Sequence, residues 1–137
     1  RGCGMADVVF TVTAIKAAGG ARVSEETLGA TVTAGQAVYK DAADGTLKLA
    51  DADAAATGSV YGIALNGGAT GQACRVLLEG DLTCDGLTKG TSYFLSPNAG
   101  GLCGEAEVLS GDYVAYIGTA LATTSLRVKI NNTGIAK

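Results

Sequence analysis

Val60-Tyr61-Gly62-Ile63-Ala64-Leu65 and Tyr116-Ile117-Gly118-Thr119-Ala120-Leu121 are the two stretches whose reading decides the fold. Each sets a glycine among β-branched and aromatic residues, which favour a pleated, half-buried surface. A glycine inside a strand marks a bend or the close approach of another backbone. The pair therefore predicts two strands that bend, or admit a neighbouring backbone, at Gly62 and Gly118. The Ala-Leu pair after each glycine is expected to refill the core beyond that point.

Working outward, the surroundings of the two stretches also match. Thr33-Ala34-Gly35 and Thr88-Lys89-Gly90 each open onto an aromatic-bearing run, Gln36-Ala37-Val38-Tyr39 and Thr91-Ser92-Tyr93-Phe94-Leu95. A Gly-rich hairpin follows each, at Gly45-Thr46-Leu47 and Gly101-Leu102, and each unit ends on a strand, Arg75-Val76-Leu77-Leu78 and Arg127-Val128-Lys129-Ile130. The offset between matching residues stays between 52 and 56. Short apolar runs at this regular spacing, separated by Gly, Asp, Asn and Thr, predict an all-β fold. We expect a small β-barrel or sandwich over residues 34–137, built from two similar β units at 34–80 and 88–131. The one helix-like stretch, Asp51-Ala52-Asp53-Ala54-Ala55-Ala56, is long enough only for a single capped turn.

The N-terminal quarter reads differently. Val8 to Lys16 is rich in β-branched residues and alternates Phe10, Val12 and Ala14 with Thr11 and Thr13, the pattern of a strand. Ala17 to Ala21 breaks it, and the polar run Arg22 to Thr33, with isolated Val23, Leu28 and Val32, suits an extended arm or an edge strand. Residues 1–33 are accordingly expected to form an extended N-terminal arm or edge strand. Met5-Ala6-Asp7 reads as an ordinary translation start with residues ahead of it, and the start lacks the apolar core of a signal peptide.

Composition bounds the function. In 137 residues, Leu, Ile, Val and Phe occupy only 31 positions while Gly occupies 21. The core should be thin, and ordering so many glycines is entropically costly, so backbone pairing and neighbouring copies are expected to carry stability. The net charge of −3 leaves no basic patch for nucleic acid. No apolar run approaches the roughly 18 residues of a membrane-spanning helix.

The absence of His removes Ser-His and Cys-His nucleophilic catalysis. The lysines lie among small or polar residues, with nothing to desolvate one into a base. The carboxylate pairs Asp51/Asp53, Glu25/Glu26, Asp81/Asp85 and Glu105/Glu107 lack bulky apolar neighbours that would keep one protonated, and read as turn caps and surface charge. Cys3, Cys74, Cys84 and Cys103 have no metal-ligand spacing. They are read as free thiols, or as a Cys84–Cys103 disulfide if those segments prove adjacent. Asn66-Gly67-Gly68-Ala69-Thr70-Gly71 lacks the Lys-Ser/Thr of a phosphate loop and reads as a hairpin turn. The five tyrosines read as core or interface packing. No catalytic, cofactor-binding or metal residue is expected.

Taken together, Ala34-Gly35-Gln36-Ala37-Val38-Tyr39, Gly45-Thr46-Leu47-Lys48-Leu49, Ser59-Val60-Tyr61-Gly62-Ile63-Ala64-Leu65 and Ala73-Cys74-Arg75-Val76-Leu77-Leu78 resemble the capsid cement, or head decoration, proteins of tailed bacteriophages. Gly90, Tyr93, Leu95 and Ser96, followed by Gly111, Tyr113, Val114 and Gly118-Thr119-Ala120-Leu121, look like modules found in several phage head and fibre proteins. The resemblance implies a β-barrel-like protomer that forms a homotrimer, assembles in the host cytoplasm and sits on the outside of the virion, clamping the major capsid protein. The alternative it leaves open is a trimeric fibre, spike or receptor-binding module. In the cement role the N-terminal arm reaches onto the capsid, with Val8, Val9, Phe10, Val12 and Ile15 as contact residues on a neighbour's sheet edge.

Overall fold

A computed structural model describes residues 15–17, 19–52, 57–96, 100–104 and 111–136. Among them are ten strands and no helix. They are β1 (Lys16–Ala17), β2 (Arg22–Thr27), β3 (Ala37–Lys40), β4 (Leu47–Leu49), β5 (Gly62–Ala64), β6 (Ala73–Thr83), β7 (Ser92–Leu95), β8 (Leu102–Gly104), β9 (Tyr113–Ala122) and β10 (Ser125–Ala136). The expected all-β class is what the chain adopts: one strongly curled antiparallel sheet, a half-barrel.

The sheet runs β4-β3-β5-β6-β10-β9-β7-β8, with β1 and β2 also paired to β6. Read inward from either end, the order is the same: the second, first, third and fourth strand of a four-strand unit. The turn that opens each unit is built identically. Gly35 and Gly90 have φ of 93° and 82°, values an L side chain rarely adopts. Both turns close with the same bond at 3.2 Å, Gln36 N–H to the Thr33 carbonyl and Thr91 N–H to the Thr88 carbonyl. Each then docks on the alanine of its own Gly-x-Ala-Leu strand, Gly35 N–H on Ala64 O and Gly90 N–H on Ala120 O, both at 2.8 Å.

Gly62 and Gly118 stand where the sequence asks for bare backbone. A β-carbon at Gly62 would lie 2.6 Å from the Leu77 carbonyl oxygen, and one at Gly118 would overlap the Arg127 carbonyl. The refilling of the core after them is only partly as expected. Ala64 and Ala120 are buried, but Leu121, the penultimate residue of β9 near the tight β9–β10 turn, is 39% exposed.

β6 holds the two units together. Its first half pairs with β5 through Val76 and Leu77 and with β2 from Ala73 to Glu79. Its second half pairs with β10 from Glu79 to Thr83 and with β1 through Leu82 and Thr83. Gly80, with φ of 125°, sits within this exchange of partners, and a β-carbon there would meet Ala21 Cα at 2.8 Å. Across the mouth of the half-barrel, Ala37 N–H donates to Gly100 O at 2.9 Å and Gly100 N–H to Ala50 O at 2.6 Å, joining the outer strands of the two units.

The main core fills the concave side, with Ile63, Leu77, Leu82, Leu95, Leu102, Ile117 and Leu126 fully buried. A second core lies on the outer face of the first unit, where Val38, Leu47, Ala64 and Val76 are covered by Leu28 and Val32. The sequence reading of Arg22 to Thr33 is corrected here. Arg22–Thr27 is an edge strand, but Leu28 and Val32 are packed residues, 1% and 2% exposed. Burying their side chains outweighs the polar character of the residues around them.

Gly80→Ala and Gly118→Ala should each lower the free energy of unfolding by about 2–4 kcal/mol, from strain at the first and backbone collision at both. Gly19, with open space around its α-carbon, should tolerate Ala within about 0.5 kcal/mol. Urea denaturation of the three variants checks this, and equal small effects would contradict the close approaches described.

Candidate functional site

The surface with the most capacity for interaction is the edge formed by β2. Its alternating side chains, Arg22-Val23-Ser24-Glu25-Glu26-Thr27, present Val23 to the main core, while Ser24 and Glu26 share the other face. One edge of β2 is satisfied by β6; the other has no strand beside it among the described residues. An unpaired edge is a template for a further strand. The same edge continues through β1, interrupted at Gly19-Gly20, where the pairing with β6 slips.

A small polar network fixes β2 from its outer face. Glu26 accepts from Ser24 Oγ at 2.6 Å and from Tyr61 OH at 3.0 Å, and pairs with Lys40 Nζ at 3.2 Å. The Lys40 ammonium also lies 5.5 Å from the centre of the Tyr61 ring. The Ser24 hydrogen bond, helped by Lys40 and Tyr61, holds the Glu26 carboxyl below its ordinary value of 4.5. The sequence reading placed Glu25 and Glu26 together as a pair; the structure instead joins Glu26 to Ser24, Lys40 and Tyr61. The i, i+2 spacing of Ser24 and Glu26 on one strand face was the available signal.

Of the residues expected to contact a capsid or a neighbouring subunit, Val8, Val9, Phe10 and Val12 lie outside the described residues. Ile15 is described, and its side chain is buried in the chain's own main core at 6% exposure. It immediately precedes β1, so the open edge and residues 8–14 are contiguous in the chain.

Cys74, Cys84 and Cys103 are buried, and no disulfide joins Cys84 to Cys103. Burial, reinforced by Asp85, pushes the Cys84 thiol up to about 11, and burial also raises Cys74. Such thiols stay protonated and are poor nucleophiles. Lys48 is held by Asp41 at 2.7 Å and Asp44 at 3.5 Å; the Asp41 bond raises the Lys48 pKa and lowers that of Asp41, while hydrogen bonds from Thr46 chiefly lower that of Asp44. Asp81 faces Arg127 across β6 and β10 at 3.4 Å, while Asp53, Glu105 and Glu107 lie outside the described residues. No three Cys, Asp or Glu side chains among the described residues converge as a metal site would require, and no described helix could cross a membrane. No family model and no curated protein matches this chain.

Because the Glu26 pKa is depressed by folding, its ionic contribution is complete above pH 4.5 and disappears as the pH falls through the lower folded value. Glu26→Gln should therefore cost about 0.5–1 kcal/mol at pH 7 and become neutral in strong acid. Urea midpoints of both proteins across this range provide the check; a difference that persists unchanged in acid would remove the ionic role.

Proposed function

We propose that this chain is a structural virion protein that binds the outer surface of a tailed-phage capsid, stabilises the expanded shell and works as a homotrimer. Its partners are the major capsid protein and its own copies, and it performs no catalysis. The observation that carries this reading is the open β2 edge, continuous through β1 with the apolar, β-branched run Val8 to Ala14. A strand-forming sequence contiguous in the chain with an edge that no described strand covers is what strand exchange between neighbouring subunits requires. Two β units joined through one long strand, with buried thiols and locally paired charges, fit a rigid clamp. Affinity in that role comes from backbone pairing and apolar burial summed over symmetric copies.

The structure dictates how the arm is tested. Removing Ile15 or Lys16 would damage the core and β1, so the truncation must stop short of them. Sedimentation of the intact protein should give the mass of three protomers, and it should cosediment saturably with purified, expanded, undecorated heads. Deletion of residues 5–12 should abolish head binding while leaving the unfolding midpoint within a few degrees of the intact protein. A trimer that ignores heads would move the assignment to a fibre or receptor-binding module. Undiminished binding by the truncated protein would remove the arm from the mechanism.

A further inference from the structure

The loop between β5 and β6, residues 65–72, contains Asn66-Gly67, the single Asn-Gly step in the sequence. This step is chemically labile. The Gly67 nitrogen can attack the Asn66 side-chain carbonyl carbon, expelling ammonia and closing a succinimide. Water then opens the ring to aspartate or, by the other bond, to isoaspartate with an extra methylene in the main chain. Glycine in second place makes the attack easiest because no side chain obstructs it.

Neither residue can be exchanged freely. A β-carbon at Gly67 would lie 2.9 Å from the Val32 carbonyl oxygen. The Asn66 carboxamide acts as a rung across the hairpin: its Oδ1 accepts from Arg75 N–H at 2.8 Å, while its Nδ2 donates to Ala73 O at 3.3 Å and Gly67 O at 3.1 Å. Only a side chain with both a donor and an acceptor can serve these partners. The fold thus demands the dipeptide that is most prone to rearrange.

The same contacts restrain it. The carboxamide is held by hydrogen bonds at both its oxygen and its nitrogen, which restricts the rotation that cyclisation needs. The loop is also clamped on the segment after β2, with reciprocal bonds between Val32 and Gly68 at 2.9 Å and a 2.7 Å bond from Gly71 N–H to Leu28 O. From this geometry we infer that Asn66 is a conformationally gated deamidation site, stable while the β5–β6 hairpin is closed and released when it opens. Conversion then blocks reclosure. An aspartate keeps the acceptor for Arg75 but replaces the donor with a negative oxygen facing the Ala73 and Gly67 carbonyls. The Cys74 thiol, which donates to Asn66 O at 3.3 Å, would lose its cover.

The test incubates the protein at 37 °C and mildly alkaline pH, folded and in urea, and follows each asparagine by peptide mass and by isoaspartate methylation. Asn66 should convert first in urea, and at least ~tenfold more slowly in the folded protein. Asn66→Asp, made directly, should lower the unfolding midpoint and speed labelling of Cys74 by a thiol reagent. Equal rates in the two states, or another asparagine converting first in urea, would overturn the inference. So would an Asn66→Asp protein with unchanged midpoint and unchanged Cys74 labelling.

Discussion

Everything in this fold depends on β6 changing partners midway along its length. A strand of eleven residues flanked on both edges would ordinarily propagate a regular, gently twisted open sheet. Here the partners β5 and β2 give way to β10 and β1 around Glu79 and Gly80. A left-handed backbone at Gly80 makes the turn possible, and Ala21 packs where a side chain would otherwise stand. Bulged or bent strands of this kind are how an antiparallel sheet curls far enough to enclose a core.

The curl resolves the problem set by the composition. With few large apolar residues and many glycines, the chain could not fill a wide sandwich, and the concave core is correspondingly narrow. At Gly62 and Gly118 the backbone of the paired strand, β6 or β10, stands where a side chain would otherwise be. The two units nevertheless differ on their outer faces. The first is sealed by Leu28 and Val32 from the segment after β2, which ties the N-terminal region into the fold. The outer face of the second carries Phe94 and Tyr116, packed edge to face 5.6 Å apart, beside the buried Cys103.

What was legible in the sequence were features fixed by local necessity. Glycines that must lack a side chain, the Thr-x-Gly turns and the aromatic-bearing runs of β3 and β7 each announce a strand or its limit, and they sufficed for the all-β class. Strand pairing was not legible, because it is decided by contacts distant in sequence. The extent of β6 illustrates this: Gly80 reads as a breaker after Glu79, yet pairing on both edges carries the strand on to Thr83. The burial of Leu28 and Val32 was hidden for the same reason, since neither carries a local periodicity. As for the candidate site, the sequence reading paired Glu25 with Glu26 and missed the i, i+2 relation of Ser24 and Glu26; Tyr61 and Lys40 come from other strands and carry no local signal. The edge of β2 that no described strand covers became apparent once its pairing was known.

The central claim, that β6 welds two similar units into a single cooperative body, is tested most directly by native-state hydrogen exchange of its backbone amides. The account predicts that hydrogen-bonded amides in both halves, Cys74–Leu78 and Glu79–Thr83, are among the most protected in the chain and share the free energy of global unfolding. It also predicts that they respond together as urea is added. Exchange of the first half through a separate, much cheaper opening, while the second half stays protected, would show that the units unfold independently and would contradict it.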